Sequence, residues 1–294
     1  MHQSIDALSA QFQVPGLRFE TGQGGLTKAV LETPVSVGEV YLHGAHVTRF
    51  QLNGQKPLLW ISKHSLFEDG KPIRGGVPIC FPWFGPHPSD PQAPGHGLAR
   101  SKAWEVVAAC PSDDGGLSIE LQTTVDEFTL RYTVAFGRTM ELTLNVELSA
   151  NAAGPVKFEE ALHTYFLISD ISDAIIEGLE QAEFIDKVDG AKRKAATGES
   201  IRFSGECDRV YCDTTGTCVL RDPGNRRSIV VSKSNSKSTV VWNPWVEKSA
   251  RMADFGDNEW PEMVCIETAN VGPNAIELSP GQSHQMSVQV SLAT

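Results

Sequence analysis

The chain has 294 residues, of which 40% are hydrophobic and 21% charged, and its formal net charge is -11 at pH 7. This is the composition of a soluble globular protein with a sizeable core. The acidic balance argues against general binding to nucleic acid or to anionic membranes, while a few local arginines can still hold an anionic small molecule.

In chain order, the opening "MHQSIDALSAQFQVPG" lacks a basic segment followed by a long apolar run, so no signal peptide is expected. Residues 1–20 read as an N-terminal extension of one domain spanning 1–294, with no repeat or linker. "EVYLHGAHVTRFQL" reads as a strand. Its His43 and His46 stand three apart, with no third ligand nearby, so no metal is expected. "KPIRGGVPICFPWFGPH", Lys71 to His87, holds too many prolines and glycines for a central strand. It reads as a stiff loop presenting Arg74. "GHGLARSKAWEV" places His96 and Arg100 just before a strand, with glycines that allow close backbone approach to a ligand.

The strand signals then come in series: "KAWEVVAAC", "LSIELQTTV", "FTLRYTVAFG" and "MELTLNVEL". In the last, Met140, Leu142, Leu144, Val146 and Leu148 share one face. "DKVDGAKRKAATGES" reads as a surface excursion, "CVLRD" and "RSIVVS" as strands, and "HQMSVQVSL" as a closing alternating strand. Turn signals separate them: "LNGQ", "SDDGG", "NAAGP", "DPGN" and "SPGQ". One stretch, "NPWVEKSARMADFG", reads as a helix capped by Asn243, with Pro244 at its first position and Gly256 at its end. The pattern predicts an all-β antiparallel sandwich or barrel with few helices. Six scattered cysteines without a C-x-x-C pair point to reduced thiols and a cytoplasmic protein. No stretch approaches the roughly 18 apolar residues of a membrane span.

Two polar residues sit oddly in strand-like runs. In "FEEALHTYFLIS", a strand puts Glu159, Ala161, His163 and Tyr165 on one face and Leu162 and Phe166 on the other. In "MVCIETANV", Val264 and Ile266 face inward, and Cys265 and Glu267 face away. The plain readings are a half-exposed histidine bonded to a neighbour and a strand-end salt bridge. The functional reading is an acid/base pair, if the fold brings the two together.

These segments resemble, in order, the hexose-6-phosphate mutarotases, or glucose-6-phosphate 1-epimerases, a branch of the aldose 1-epimerase (galactose mutarotase-like) superfamily. The matching pieces are "LHGAHVTRFQLNGQKPLLWIS", "KPIRGGVPICFPWFG", "HGLARSKAWEV", "ALHTYF", "FIDKV", "DRVY", "VVWNPWVEKSARMADFGDNEW" and "MVCIETANV", from about Tyr41 to Val271. The resemblance implies a large twisted β-sandwich with a sugar site on one open face. It places the family's catalytic histidine on His163 and its catalytic glutamate on Glu267. It places substrate contacts on Arg74, His96, Arg100 and Asp208. Many relatives carry glutamine where Gly95 stands here, which touches sugar preference and leaves the chemistry alone.

Exchanging the α and β anomers of a pyranose requires ring opening. A base takes the proton of the anomeric hydroxyl, and an acid protonates the ring oxygen. The resemblance implies Glu267 as base and His163 as acid, without metal, nucleotide or redox cofactor. An unperturbed imidazole, with a pKa of about 6.5, suits the acid near neutrality. Asp208 and His96 would orient hydroxyls, Trp83 and Trp242 would pack on the sugar or in the core, and Arg74 and Arg100 would read the phosphate. The expected partner is a small-molecule hexose 6-phosphate, with no nucleic acid or membrane partner and a monomer favoured. The alternatives are a mutarotase for free aldoses and a carbohydrate-binding protein without catalysis.

Overall fold

The computed structural model describes residues 3–112 and 115–293. Asp113 and Asp114 of the expected "SDDGG" turn, and the first two residues of the N-terminal reading, lie outside the described residues.

Hydrophobic alternation becomes sheet directly. Met140–Leu148 is a nine-residue strand whose apolar positions are all buried. It is the centre of an eight-stranded antiparallel sheet. Across that sheet lie Ile175–Glu177, Cys218–Asp222, Arg227–Ser234, Ser283–Leu292, Met140–Leu148, Phe128–Phe136, Leu117–Val125 and Glu105–Pro111. A second eight-stranded sheet carries the site. Its order is Lys192–Lys194, Phe184–Asp186, Cys207–Cys212, Ser238–Asn243, Met263–Asn270, Glu160–Leu162 and Ile79–Cys80, with Tyr165–Leu167 also pairing with Met263–Asn270. A four-stranded sheet of Leu17–Thr21, Thr27–Glu32, Ser36–Tyr41 and His46–Leu52 completes one continuous core. In that core Phe50 stacks on Phe136 at 5.3 Å and Phe81 meets Phe128 edge-on at 5.2 Å. The chain is therefore the all-β antiparallel sandwich that its alternation predicts.

Three local expectations change. "EVYLHGAHVTRFQL" is a hairpin, because Gly44 and Ala45 take left-handed backbone (φ 70° and 46°) and Tyr41 pairs back onto His46. "NPWVEKSARMADFG" is helical only over Trp245–Ser249, with Pro244 in the capping position. Asn243 ends a strand instead, and its Oδ1 still accepts the Trp245 N–H at 2.9 Å. The rest of that segment is drawn out to put Met252 and Asp254 at the site. Third, the polar stretch after Phe184 is partly a hairpin, with Phe184–Asp186 pairing with Lys192–Lys194. At the N-terminus, helix Ile5–Gln11 is capped by Ser4 and buries Leu8 in the core, and the first strand begins at Leu17.

Strands Ser238–Asn243 and Met263–Asn270 are buried at every position. One face meets the core; loops cover the other. A two-sided burial of this kind makes any polar side chain on the second face costly unless it has a partner or a purpose.

Candidate active site

The strand carrying His163 is interrupted at the histidine itself. Thr164 N–H turns back to the Leu162 carbonyl at 2.9 Å, and His163 N–H donates to the Pro78 carbonyl at 3.0 Å. Leu162 and Phe166 enter the main core while Ala161 and Tyr165 face the other way, as alternation predicts. Likewise Val264 and Ile266 face the core, and Cys265 and Glu267 face the loops. What differs is exposure. His163 is 6% exposed and Glu267 1%, because loops from the Arg74 and His96 segments cover that face.

Under the loops is a cavity of about 280 Å³, and all six sequence-predicted residues line it: Arg74, His96, Arg100, His163, Asp208 and Glu267. His163 Nδ1 lies 3.3 Å from Glu267 Oε1, yet neither that nitrogen nor either Glu267 oxygen has a well-aligned hydrogen bond among the described residues. Three unpartnered polar atoms in one buried spot are unusual. Burial is the main force on both groups. It holds the His163 imidazolium well below its usual range, aided by His96, Arg74 and Arg100. It pushes the Glu267 carboxyl well up, aided by the Asp208 charge. Burial thus favours the neutral form of each group, an un-ionised carboxyl and an unprotonated imidazole, over the charged forms.

The surrounding side chains are tied down. Tyr165 stacks on the His163 ring at 4.7 Å, and its hydroxyl accepts from Arg74 Nη1 at 2.9 Å. Arg74 Nε and Nη2 donate to Asp254, each at 3.2 Å. His96 Nδ1 accepts the Gly85 N–H at 3.3 Å, which leaves Nε2–H as a donor for a ligand. Burial and the nearby cations depress the His96 pKa, so the ring stays neutral. Arg100 Nη2 donates to the Gly95 carbonyl at 2.6 Å, and Lys248 bridges Glu206 and Asp208. The motif histidines also have work to do: His43 and His46 each bond a carbonyl of the Arg74 segment, Lys71 and Gly75, at 2.7 Å. Burial lowers the His46 pKa to about 3, so it acts as a neutral brace.

Gly97 sets the loop beside His96. Its φ is 76°, and a Cβ there would collide with the Phe81 carbonyl. Gly97→Ala should cost at least about 1–2 kcal/mol for the left-handed backbone alone, read as a lowered midpoint in denaturant titration; an unchanged midpoint would contradict this packing.

Sequence reasoning missed Tyr165, Lys187, Lys248, Met252 and Phe84, all of which line the cavity. All five lie inside matched motifs, Phe84 in "KPIRGGVPICFPWFG", Tyr165 in "ALHTYF", Lys187 in "FIDKV", and Lys248 and Met252 in "VVWNPWVEKSARMADFGDNEW", but nothing in the sequence turns them toward the cavity. Trp242 lines the cavity, edge-on to His163 at 6.0 Å; Trp83 does not, and packs on His87 instead. His163, Cys265 and Glu267 offer three metal-ligating atoms within 4.8 Å of one another. Burial pushes the Cys265 thiol well up, which opposes the thiolate that a metal would need. A roomier cleft of about 440 Å³ beside Leu42, His43 and Trp104 contains none of the six candidates.

Comparison with known proteins places this antiparallel sandwich in an enzyme family. The aldose 1-epimerase family model matches residues 30–291, and the chain belongs to that family. A Cenchrus ciliaris protein provisionally named glucose-6-phosphate 1-epimerase is 33% identical over 283 residues, covering 91% of this chain and 85% of its own. An Escherichia coli protein with the same provisional name is 34% identical, covering 82% of each chain. A Salmonella typhimurium crystal structure, provisionally described as a mutarotase, superposes with a TM-score of 0.87 at 29% identity, covering 96% of this chain and 95% of that one. The protein is thus an epimerase of the aldose 1-epimerase type, acting on a small carbohydrate. Among the described residues, no helix is long and apolar enough to cross a membrane.

Proposed function

We propose that the protein interconverts the α and β anomers of glucose 6-phosphate and related hexose 6-phosphates, with Glu267 and His163 as the acid/base pair. The single observation that carries this reading is a buried pair, 3.3 Å apart and without other hydrogen-bond partners among the described residues, in a cavity that four cationic side chains line: Arg74, Arg100, Lys187 and Lys248.

The environment gives the proton transfer a direction. If Glu267 takes the anomeric proton as a carboxylate and His163 gives its proton to the ring oxygen, an ion pair becomes a neutral pair. Burial favours the neutral pair, so the transfer that opens the ring moves with the local electrostatics and offsets part of the aldehyde's cost. Hydrogen bonds from the bound sugar to both groups form the ion pair beforehand. After the aldehyde rotates, the same groups close the ring in reverse. His96 Nε2–H and the Asp208 carboxylate orient hydroxyls, and Trp242 offers an apolar face.

The test is anomer exchange of glucose 6-phosphate followed by exchange NMR against the uncatalysed rate. Acceleration is expected. Acceleration of free aldoses alone would favour the free-sugar alternative, and acceleration of neither would favour a binding protein.

The pH dependence follows from the pair holding one proton. On the acid side a second proton goes to His163, whose pKa is held well below 6.5. On the alkaline side the remaining proton leaves Glu267, whose pKa lies well above 4.5. Either change leaves no partner to give or to take. The kcat/KM profile should therefore be bell-shaped, and a flat profile over roughly pH 4 to 10 would remove the pair from the mechanism.

A further inference from the structure

The cations at the cavity are not equivalent, because three of them already have partners. Arg74 is held by Asp254 and Tyr165. Lys248 is neutralised by Glu206 at 2.9 Å and Asp208 at 3.3 Å. Arg100 gives Nη2 to the uncharged Gly95 carbonyl and keeps its charge. Lys187 lines the cavity and has no carboxylate partner among the described residues. Nearby acids are taken: Asp186 pairs with Lys194, and Asp189 with Lys192 and Lys194.

Lys187 is also placed, unlike an ordinary surface lysine. Its N–H donates to the Asp208 carbonyl at 2.8 Å, which fixes its backbone to the strand of a candidate site residue. Its ammonium sits 4.4 Å above the Phe84 ring. That ring is held by the Phe84 N–H bond to Glu159 Oε2 at 2.8 Å, and its edge packs on His96 at 4.8 Å. The charge reaches the chemistry, since Lys187 opposes the rise of the Glu267 pKa and helps depress that of His96.

We propose that Lys187 is a specificity-determining residue that contacts the substrate's phosphate and, with Arg100, supplies the two uncompensated positive charges that balance a phosphate dianion. The proposal rests on the hexose 6-phosphate reading above. It makes a rim lysine the group that separates phosphorylated from free sugars. An ammonium with free rotation over an aromatic face can follow a phosphate as a point charge, while the pinned arginines supply fixed direction.

The experiment compares wild type, Lys187→Met and Lys187→Arg. Methionine keeps the packing of the stem and removes the charge. The exposed position makes misfolding a minor concern, and circular dichroism checks it. Two readouts are taken: steady-state anomer exchange on glucose 6-phosphate, and inhibition by inorganic phosphate. Lys187→Met should raise KM for glucose 6-phosphate and the inhibition constant of inorganic phosphate by roughly 10- to 100-fold, the loss of one charge-assisted hydrogen bond. kcat should change far less, and Lys187→Arg should recover most of both losses. Unchanged phosphate inhibition in Lys187→Met would overturn the proposal, as would a fall confined to kcat. A wild type inert towards glucose 6-phosphate would instead sink the substrate reading. In that case, weakened binding of inorganic phosphate in Lys187→Met would still support an anion contact at this lysine.

Discussion

Replacing Glu267 by Gln, or His163 by Ala, should slow catalysed anomer exchange by at least about two orders of magnitude each, the contribution expected of a positioned acid or base. Glu267→Gln is the cleaner change. Burial favours the neutral form of the Glu267 carboxyl, so a neutral amide of nearly the same shape replaces it with little disturbance. What is lost is the ability to take a proton. His163→Ala opens space beside Tyr165, which stacks on the imidazole at 4.7 Å, so His163→Gln is a useful companion that fills the site without titrating. Circular dichroism and denaturation midpoints should stay near wild type for Glu267→Gln. Near-normal turnover in either variant would show that its side chain is not part of the proton path, and the double variant should be no worse than the poorer single one, because the two act as a unit.

The next largest effect is expected at the arginines. Arg74→Ala and Arg100→Ala should each lower kcat/KM for glucose 6-phosphate by about 1.5–3 kcal/mol, the range for hydrogen bonds to charged groups, with smaller changes for free glucose. Arg74 should be the more sensitive. Its Nε, one Nη1 and one Nη2 hydrogen are committed to Asp254 and Tyr165, which leaves one N–H on each Nη for an anion. Removing it takes away those donors and also frees the Asp254 carboxylate, so the phosphate would meet an uncompensated negative charge. Arg100→Ala removes a charge and loosens the Gly95 carbonyl that it holds at 2.6 Å. The remote contact helps orient the reacting carbon, so part of the loss should appear in kcat. Equal losses on phosphorylated and free glucose would show that the arginines support the cavity wall and do not read phosphate.

Much of this was legible from local pattern. Period-two alternation is a local property, so Met140–Leu148 and Ser283–Leu292 could be assigned to strands with their buried faces correct. The same rule put Leu162 and Phe166 on one face and His163 on the other, and separated Val264 and Ile266 from Cys265 and Glu267. The ordered motifs added which side chains to watch. Less legible was the segment after Asn243, where a good helix signal yields one short helix, Trp245–Ser249. Beyond that helix Asp254 pairs with Arg74, and this tertiary contact overrides the local preference.

The sequence by itself determined the β architecture and the faces of its strands, because alternation and turn chemistry act between neighbours along the chain. Only the tertiary structure decided that His163 and Glu267 stand 3.3 Å apart, that loops bury them, and that Arg74 meets an aspartate 180 residues away. Burial is what turns an ordinary histidine and glutamate into a pair with displaced pKa values, and burial is set by which distant segments cover a face. The same holds for charge: whether a lysine is neutralised, as Lys248 is, or left facing the cavity, as Lys187 is, depends on carboxylates brought in from elsewhere in the fold.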